Sequence, residues 1–161
     1  MARVLSQVYR LLCAALFGAQ LFFAAGAAQV VFSSEVARLP RDDARRLFAA
    51  DAVGGMLARL DAATLVSTAL LVVCALLLAR RAAAALPLVA GLCALLSTAL
   101  VTPAIHALRE AGQVALPSFG LLHAASSLLL LLEMALLLAA AWRHPGDPGT
   151  PYATRANQRP G

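Results

Sequence analysis

The sequence predicts an all-α fold, a bundle of four transmembrane helices with an amphipathic interfacial helix between the first two spans. Residues 11–34 contain no Asp, Glu, Lys, Arg or His, and about 20 apolar residues suffice to cross a bilayer as a helix. Three further segments of similar character follow. The chain is 61% hydrophobic and 13% charged, with a mean hydropathy of +0.81, whereas soluble domains carry about 25% charged residues. Four spans and their loops use up most of the 161 residues. The expected organisation is one membrane domain, 1–143, and a C-terminal tail, 144–161.

The first span is expected over about 8–32, after Arg3 and Arg10. A basic start and an apolar run also describe a signal peptide, with small residues at 24–28 for cleavage. The run continues through Val30, Val31 and Phe32, long enough to remain as a span. Residues 33–60 are the most polar internal stretch. Pro40 precedes Asp42 and Asp43, whose charges suit the positive end of a helix dipole. Ala44, Leu47, Phe48 and Ala52 recur near helical spacing, which predicts a short amphipathic helix at the membrane surface, weakened by Gly54 and Gly55.

The second span, about 60–79, ends at Arg80 and Arg81, with Asp61 at its entry near the interface. The third, about 82–105, follows so closely that the two form an antiparallel hairpin. Pro87 falls in its first turns, and Pro103 near its end predicts a break or kink. After a loop with Arg109, Glu110, Gly112 and Pro117, the fourth span covers about 119–142 and closes on Trp142, an interfacial anchor. The tail beyond His144 is rich in Pro and Gly and reads as disordered.

All thirteen basic residues are arginines, scattered around the spans rather than clustered as in a nucleic-acid surface. They read as anchors at a lipid headgroup layer, so the lipid bilayer is the expected partner and nucleic acid is not. The Ala-, Leu- and Arg-rich composition suggests a bacterial source, hence the inner (plasma) membrane. With the termini inside, seven arginines are cytoplasmic and six lie across the membrane, which favours cytoplasmic termini by a narrow margin.

Glu133 is the most pointed residue, deep within the fourth apolar run between Leu132 and Met134. A charged side chain near the bilayer centre costs about 2.5–3.5 kcal/mol on insertion scales, so it faces a partner, a cavity or a pathway. It is read either as a proton carrier or as a hydrogen-bonding lock between helices. Ser126, seven residues earlier, shares its face, and His123 lies nearby. On the third span Thr98, Thr102 and His106, spaced by four, stack along one face, and Pro103 frees the carbonyl of Ala99. These six residues (Thr98, Thr102, His106, His123, Ser126 and Glu133) are expected to line a shared interior.

Gln20 and Gln29, nine apart, point to opposite faces and cannot serve one site. Gly18, with Ala14 and Ala15, suits close helix approach. Asp61 is expected to pair with an arginine at the interface. Cys13, Cys74 and Cys93 lie in apolar runs without CxxC spacing and read as packing residues. His123 and Glu133 are about 15 Å apart along one helix and cannot share an ion. No metal and no cofactor are expected, although paired histidines in a four-helix bundle leave haem as a minor alternative. No nucleophile–base pair or nucleotide fingerprint is present, so the chain is not expected to be an enzyme.

Three stretches carry a family resemblance: GAQLFFAAGAAQVVF at 18–32, VTPAIHALRE at 101–110 and FGLLHAASSLLLLLEM at 119–134. In order and spacing they resemble the DUF4149 family of transmembrane protein 205-like integral membrane proteins, over about residues 11–142. The resemblance implies a four-span helical membrane protein and marks Thr102, Pro103, Arg109, Phe119, His123 and Ser126 by position. Where family members have a Pro before the closing Phe of the first helix, this chain has Ala28 and Gln29. Where they have aromatic residues in the second segment, it has Val53, Gly54 and Gly55.

Two functions are expected from these features. One is a small permease-like or stress-tolerance protein that moves or senses a small solute or ion through a polar intramembrane interior, as a homo-oligomer. The other is a non-transporting structural or accessory subunit bound to a membrane partner, whose polar residues only fix helix packing.

Overall fold

The computed structural model describes residues 2–40 and 43–143. The predicted disordered tail and Asp42 lie outside the described residues. The first span comprises α1 (Ala2–Phe22), a π-helical turn (Phe23–Ala27) and α2 (Ala28–Val31). A short α3 (Ser34–Arg38) leads to the second span, α4 (Ala44–Leu77). The third span is α5 (Arg81–Leu96), a second π-helical turn (Ser97–Val101) and α6 (Thr102–Glu110). The fourth is α7 (Pro117–Trp142). All four are long and apolar enough to cross a membrane, and no strand occurs among the described residues.

Short connections make successive spans antiparallel, and they close into a ring. The first span packs on α4, α4 on α5, α5 on α7, and α7 back on α1. The sequence explains why they seat this way. Buried positions on the first span are Ser6, Tyr9, Cys13, Leu16, Gln20 and Phe23; on α4 they include Asp61, Thr64, Thr68, Leu71 and Ala75. Steps of three and four keep one seam facing the partners, as in left-handed bundles. Large side chains such as Leu11, Phe22, Val66, Leu77, Leu121 and Leu128 point outward, the arrangement expected where the solvent is lipid.

Small residues set the helix spacing. A β-carbon placed on Gly91 of α5 would lie 2.7 Å from Thr68 Oγ1 on α4, so only glycine allows this approach. Gly18, by contrast, is exposed with open space where a β-carbon would stand, and Ala14 and Ala15 are exposed beside it. This corrects the expectation for that stretch. Gly18 lies two residues from both Leu16 and Gln20, about 200° around the helix, and so faces away from the seam.

The two Pro-containing segments are handled differently. Pro87 is buried inside α5, where it cannot donate to the carbonyl of Ala83. That carbonyl instead accepts from Tyr9 Oη at 2.9 Å. Pro103 follows the second π-helical turn, whose wider ring is closed by Thr102 N–H donating to Ser97 O. The widened turn makes room for the proline ring, so the predicted break is a bulge within a continuing helix.

Between the first two spans the structure also differs from expectation. The amphipathic segment is helical, but it is not a separate surface element. Residues 44–59 run through Gly54 and Gly55 into the span as one helix, roughly 50 Å long at the standard rise. Tertiary contacts outweigh the weak helix preference of the two glycines. His106 of α6 lies over Gly54, Arg109 pairs with Asp51 at 2.8 Å, and Arg46 donates to the carbonyl of Leu39 at 2.6 Å. The helix starts at Asp43, whose Oδ1 accepts from Arg45 N–H at 2.9 Å. This backbone hydrogen bond, with the Arg45 guanidinium beside it, holds the Asp43 carboxyl below its ordinary range.

Candidate functional site

Each span contributes a polar side chain to one layer inside the ring. Gln20 lies on the inner seam of α1, midway along the apolar run 8–32. Asp61 and Thr64 lie on that of α4, one turn apart. Ser97 opens the second π-helical turn, and Glu133 lies on α7. None of these five is more than 3% exposed. On one side of the layer is an apolar core around Tyr9, Cys13, Leu16, Leu71 and Leu137. On the other are the Gly54–His106 contact and the Arg109–Asp51 pair.

The layer has two hydrogen-bonded halves. Gln20 Nε2 donates to Glu133 Oε2 at 2.9 Å and to Thr64 Oγ1 at 3.2 Å, which ties α1, α4 and α7 together. Ser97 Oγ donates to Asp61 Oδ2 at 2.8 Å, which ties α5 to α4. Thr98 Oγ1 is 3.4 Å from the same oxygen but 2.9 Å from the carbonyl of Ala94. Its single proton is better directed at that carbonyl. Thr68 Oγ1 returns its proton to the Thr64 carbonyl at 2.8 Å. The halves meet on α4, where Asp61 and Thr64 lie one turn apart.

The layer is rich in acceptors. Two carboxyl groups offer about eight lone-pair sites, yet each receives one short side-chain hydrogen bond. Among the described residues no arginine forms an ion pair with either. Gln20 Oε1 is buried and has no hydrogen-bond partner among the described residues. Both π-helical turns adjoin the layer: Phe23–Ala27 begins three residues after Gln20, and Ser97–Val101 begins with a member of it. Such turns widen a helix locally and recur at functional sites.

Of the predicted residues, Glu133 and Ser126 are buried on α7, whereas Thr98 is exposed and only grazes the edge of the layer, a correction that follows from its place one residue, about 100°, past the inward-facing Ser97. Thr102 and His106 are half-buried, with His106 turned to α4. His123 is exposed and does not join an interior stripe, a correction that follows from helix geometry. Ten residues from Glu133 place it about 80° off that residue's direction. Ser127 is exposed too and donates to the carbonyl of His123 at 3.0 Å. Phe119 is half-buried, and Pro103 is exposed. Gln20 is buried and Gln29 exposed, on the opposite faces their spacing predicts.

Asp61 is the residue that sequence reasoning misplaced. It stands at the edge of its apolar run, which suggested an interfacial pairing with arginine. Instead it is buried and accepts from Ser97. The signal was present in the series Asp61, Thr64, Thr68, Leu71 and Ala75, which puts the acid on the face that packs. Among the described residues no three His, Cys, Asp or Glu side chains converge on one point. No family model, curated protein or solved structure matches the chain.

Proposed function

We propose that this multi-pass membrane protein is a small permease-like protein whose buried polar layer takes up a small cation and moves or senses it across the bilayer. The observation that carries the reading is the acceptor surplus. Asp61 and Glu133 enter from different spans, sit among hydroxyls and one amide, and are met by no arginine among the described residues. Acids in such a setting mark ion pathways and proton relays. Helix locking alone is served as well by neutral Ser, Thr and Gln pairs, at lower insertion cost. The layer is also assembled from all four spans of one chain, so each protomer holds a complete site. Membership of the DUF4149 family, on residues 18–32, 101–110 and 119–134, is part of the same proposal.

The test is flux in reconstituted vesicles that carry a proton or alkali-cation gradient. The expected outcome is a flux above that of empty vesicles for the wild type and its loss in Glu133→Gln, with helix content unchanged. Equal flux in the two proteins, or none in either, overturns the reading.

A further inference from the structure

Resting on that reading, we infer that the cation is a proton carried on Glu133, and that the side-chain amide of Gln20 is the switch that registers it. The Gln20 amide is used on one side only. Both of its N–H groups donate, to Glu133 Oε2 and Thr64 Oγ1, while Oε1 has no hydrogen-bond partner among the described residues and is enclosed by the bundle. This orientation suits an ionised Glu133, which can only accept.

Protonation inverts the chain of hydrogen bonds. A proton from water bonds to Glu133 Oε2, and that oxygen becomes a donor. It would then confront the Nε2 donor of Gln20. A half-turn of the amide about Cγ–Cδ presents Oε1 instead, which accepts from the Glu133 hydroxyl and from the Thr64 hydroxyl. Nε2 moves to the place Oε1 held. Release of the proton to water reverses each step, with no other reactant consumed. Both states satisfy one side of the amide and leave the other unpaired, so their hydrogen-bond counts match and the proton decides between them.

An alkali cation fits the geometry less well. Its ligands would be carboxyl oxygens, yet Glu133 Oε2 and Asp61 Oδ2 already face an N–H and an O–H donor. Only the remaining lone pairs of these oxygens and Gln20 Oε1 are open, and an alkali cation would need several of these, from three different helices, drawn to one point. A proton needs only the rotation of one planar group. The titratable groups facing Glu133 are Asp61 from α4 and Cys93 from α5, while α1 presents the neutral Gln20. On α6, His106 is turned to Gly54 and Arg109 is paired with Asp51.

The test uses the full chain in lipid vesicles and infrared difference spectroscopy of the protonated carboxyl stretch across a pH series, in sodium and in choline salts. The expected result is a band that changes with pH in the wild type, loses that component in Glu133→Gln, and is the same in both salts. In Gln20→Leu the response to pH is expected to be lost. In Thr64→Val, which keeps the volume and removes one partner of the amide, its midpoint is expected to move. The second variant decides the matter if the first does not fold. A response unchanged in the variants that fold overturns the switch, and displacement of the band by sodium at constant pH overturns the proton. Flux is read in the same vesicles. An intact, Gln20-dependent band without flux overturns permeation and leaves the proton site standing.

Discussion

Tyr9 supplies the hydrogen bond that Pro87 cannot. Proline has no N–H to offer the carbonyl four residues earlier, at Ala83, and Tyr9 Oη reaches across from α1 to donate to that carbonyl at 2.9 Å. A helix defect in the third span thereby becomes a fixed attachment point for the first. The expected cost of Tyr9→Phe is about 1–3 kcal/mol, the range for leaving an acceptor unpaired, toward its lower end because the hydrogen bond is only part-buried. In a Pro87→Ala background the new N–H serves Ala83, and Tyr9→Phe should then cost about 1 kcal/mol less. Unfolding of the four proteins of this double-mutant cycle in mild detergent measures the coupling. Additive effects would mean that the tyrosine acts through packing alone.

The contact between Gly91 and Thr68 makes a steric prediction. A β-carbon at 91 would lie 2.7 Å from Thr68 Oγ1 and 3.4 Å from its Cβ. Gly91→Ala should therefore destabilise by about 1–3 kcal/mol, as overpacking of a filled interior does. Thr68→Ala removes the offending oxygen and should recover most of that loss in the double variant. Thermal denaturation of the single and double variants measures it, and a neutral Gly91→Ala would show that α4 and α5 can slide apart without penalty.

The fold was largely legible because lipid imposes two blunt signals, length and lack of charge, and four runs show both. The face of each helix was legible where polar residues recur at steps of three and four, as for Gln20 against Gln29. Glu133 stood out because a carboxylate deep in an apolar run is costly. Asp61 was harder to place because hydropathy locates the end of a run but not the reach of the helix beyond it. Since α4 begins at Ala44, Asp61 lies in the middle of a long helix rather than at the entry of a short one. The pairing of Gln20 with Glu133 spans 113 positions, and no local pattern encodes it. The same holds for Tyr9 and Ala83, where the proline was visible but not the partner of the carbonyl it frees.

At the N-terminus of α4 the sign of a pH effect follows from the Asp43 cap. Its carboxyl titrates lower in the folded chain than in the unfolded chain, chiefly because the Arg45 backbone N–H bonds the charged form. The cap therefore supports the helix above the unfolded aspartate value of about 3.9 and is lost as pH falls through the lower folded value. Acidification should fray the first turn of α4 before the spans respond. Asp43→Ala should fray it at neutral pH, and Asp43→Asn, which still accepts, should not. Amide exchange at Arg45 and Arg46 reports the effect, and equal exchange in Asp43→Ala and wild type would remove the cap from the account.

Two Schellman turns end α4 and α6 with the same hydrogen bonds but different residues. After α6 the turn uses Gly112 at φ +67°, and Gln113 N–H donates to the carbonyl of Leu108 at 2.8 Å. After α4 the corresponding position is Ala79 at φ +54°, with Arg80 N–H donating to the carbonyl of Ala75 at 3.0 Å. A side chain in this conformation costs about 1–2 kcal/mol that glycine avoids. Ala79→Gly is therefore expected to stabilise the protein by about 1 kcal/mol, reduced from the full strain by the extra freedom of glycine when unfolded. A lower melting temperature for the variant would contradict the strained turn.

The ring of antiparallel spans fixes which loops share a side of the membrane. Residues 33–40 and 111–116 must emerge together, and 78–80 must emerge opposite them. Single cysteines introduced at Ser33, Arg80 and Gln113 test this with a membrane-impermeant thiol reagent. Background labelling should be low, since Cys13 and Cys93 are buried and Cys74 is half-buried. The arginine distribution proposes that 78–80 faces the cytoplasm, so intact cells should label Ser33→Cys and Gln113→Cys and spare Arg80→Cys until they are opened. The reverse pattern would keep the fold and invert its orientation. Labelling of Ser33→Cys and Gln113→Cys from opposite sides would break the four-span arrangement itself, and with it the buried layer to which every span contributes.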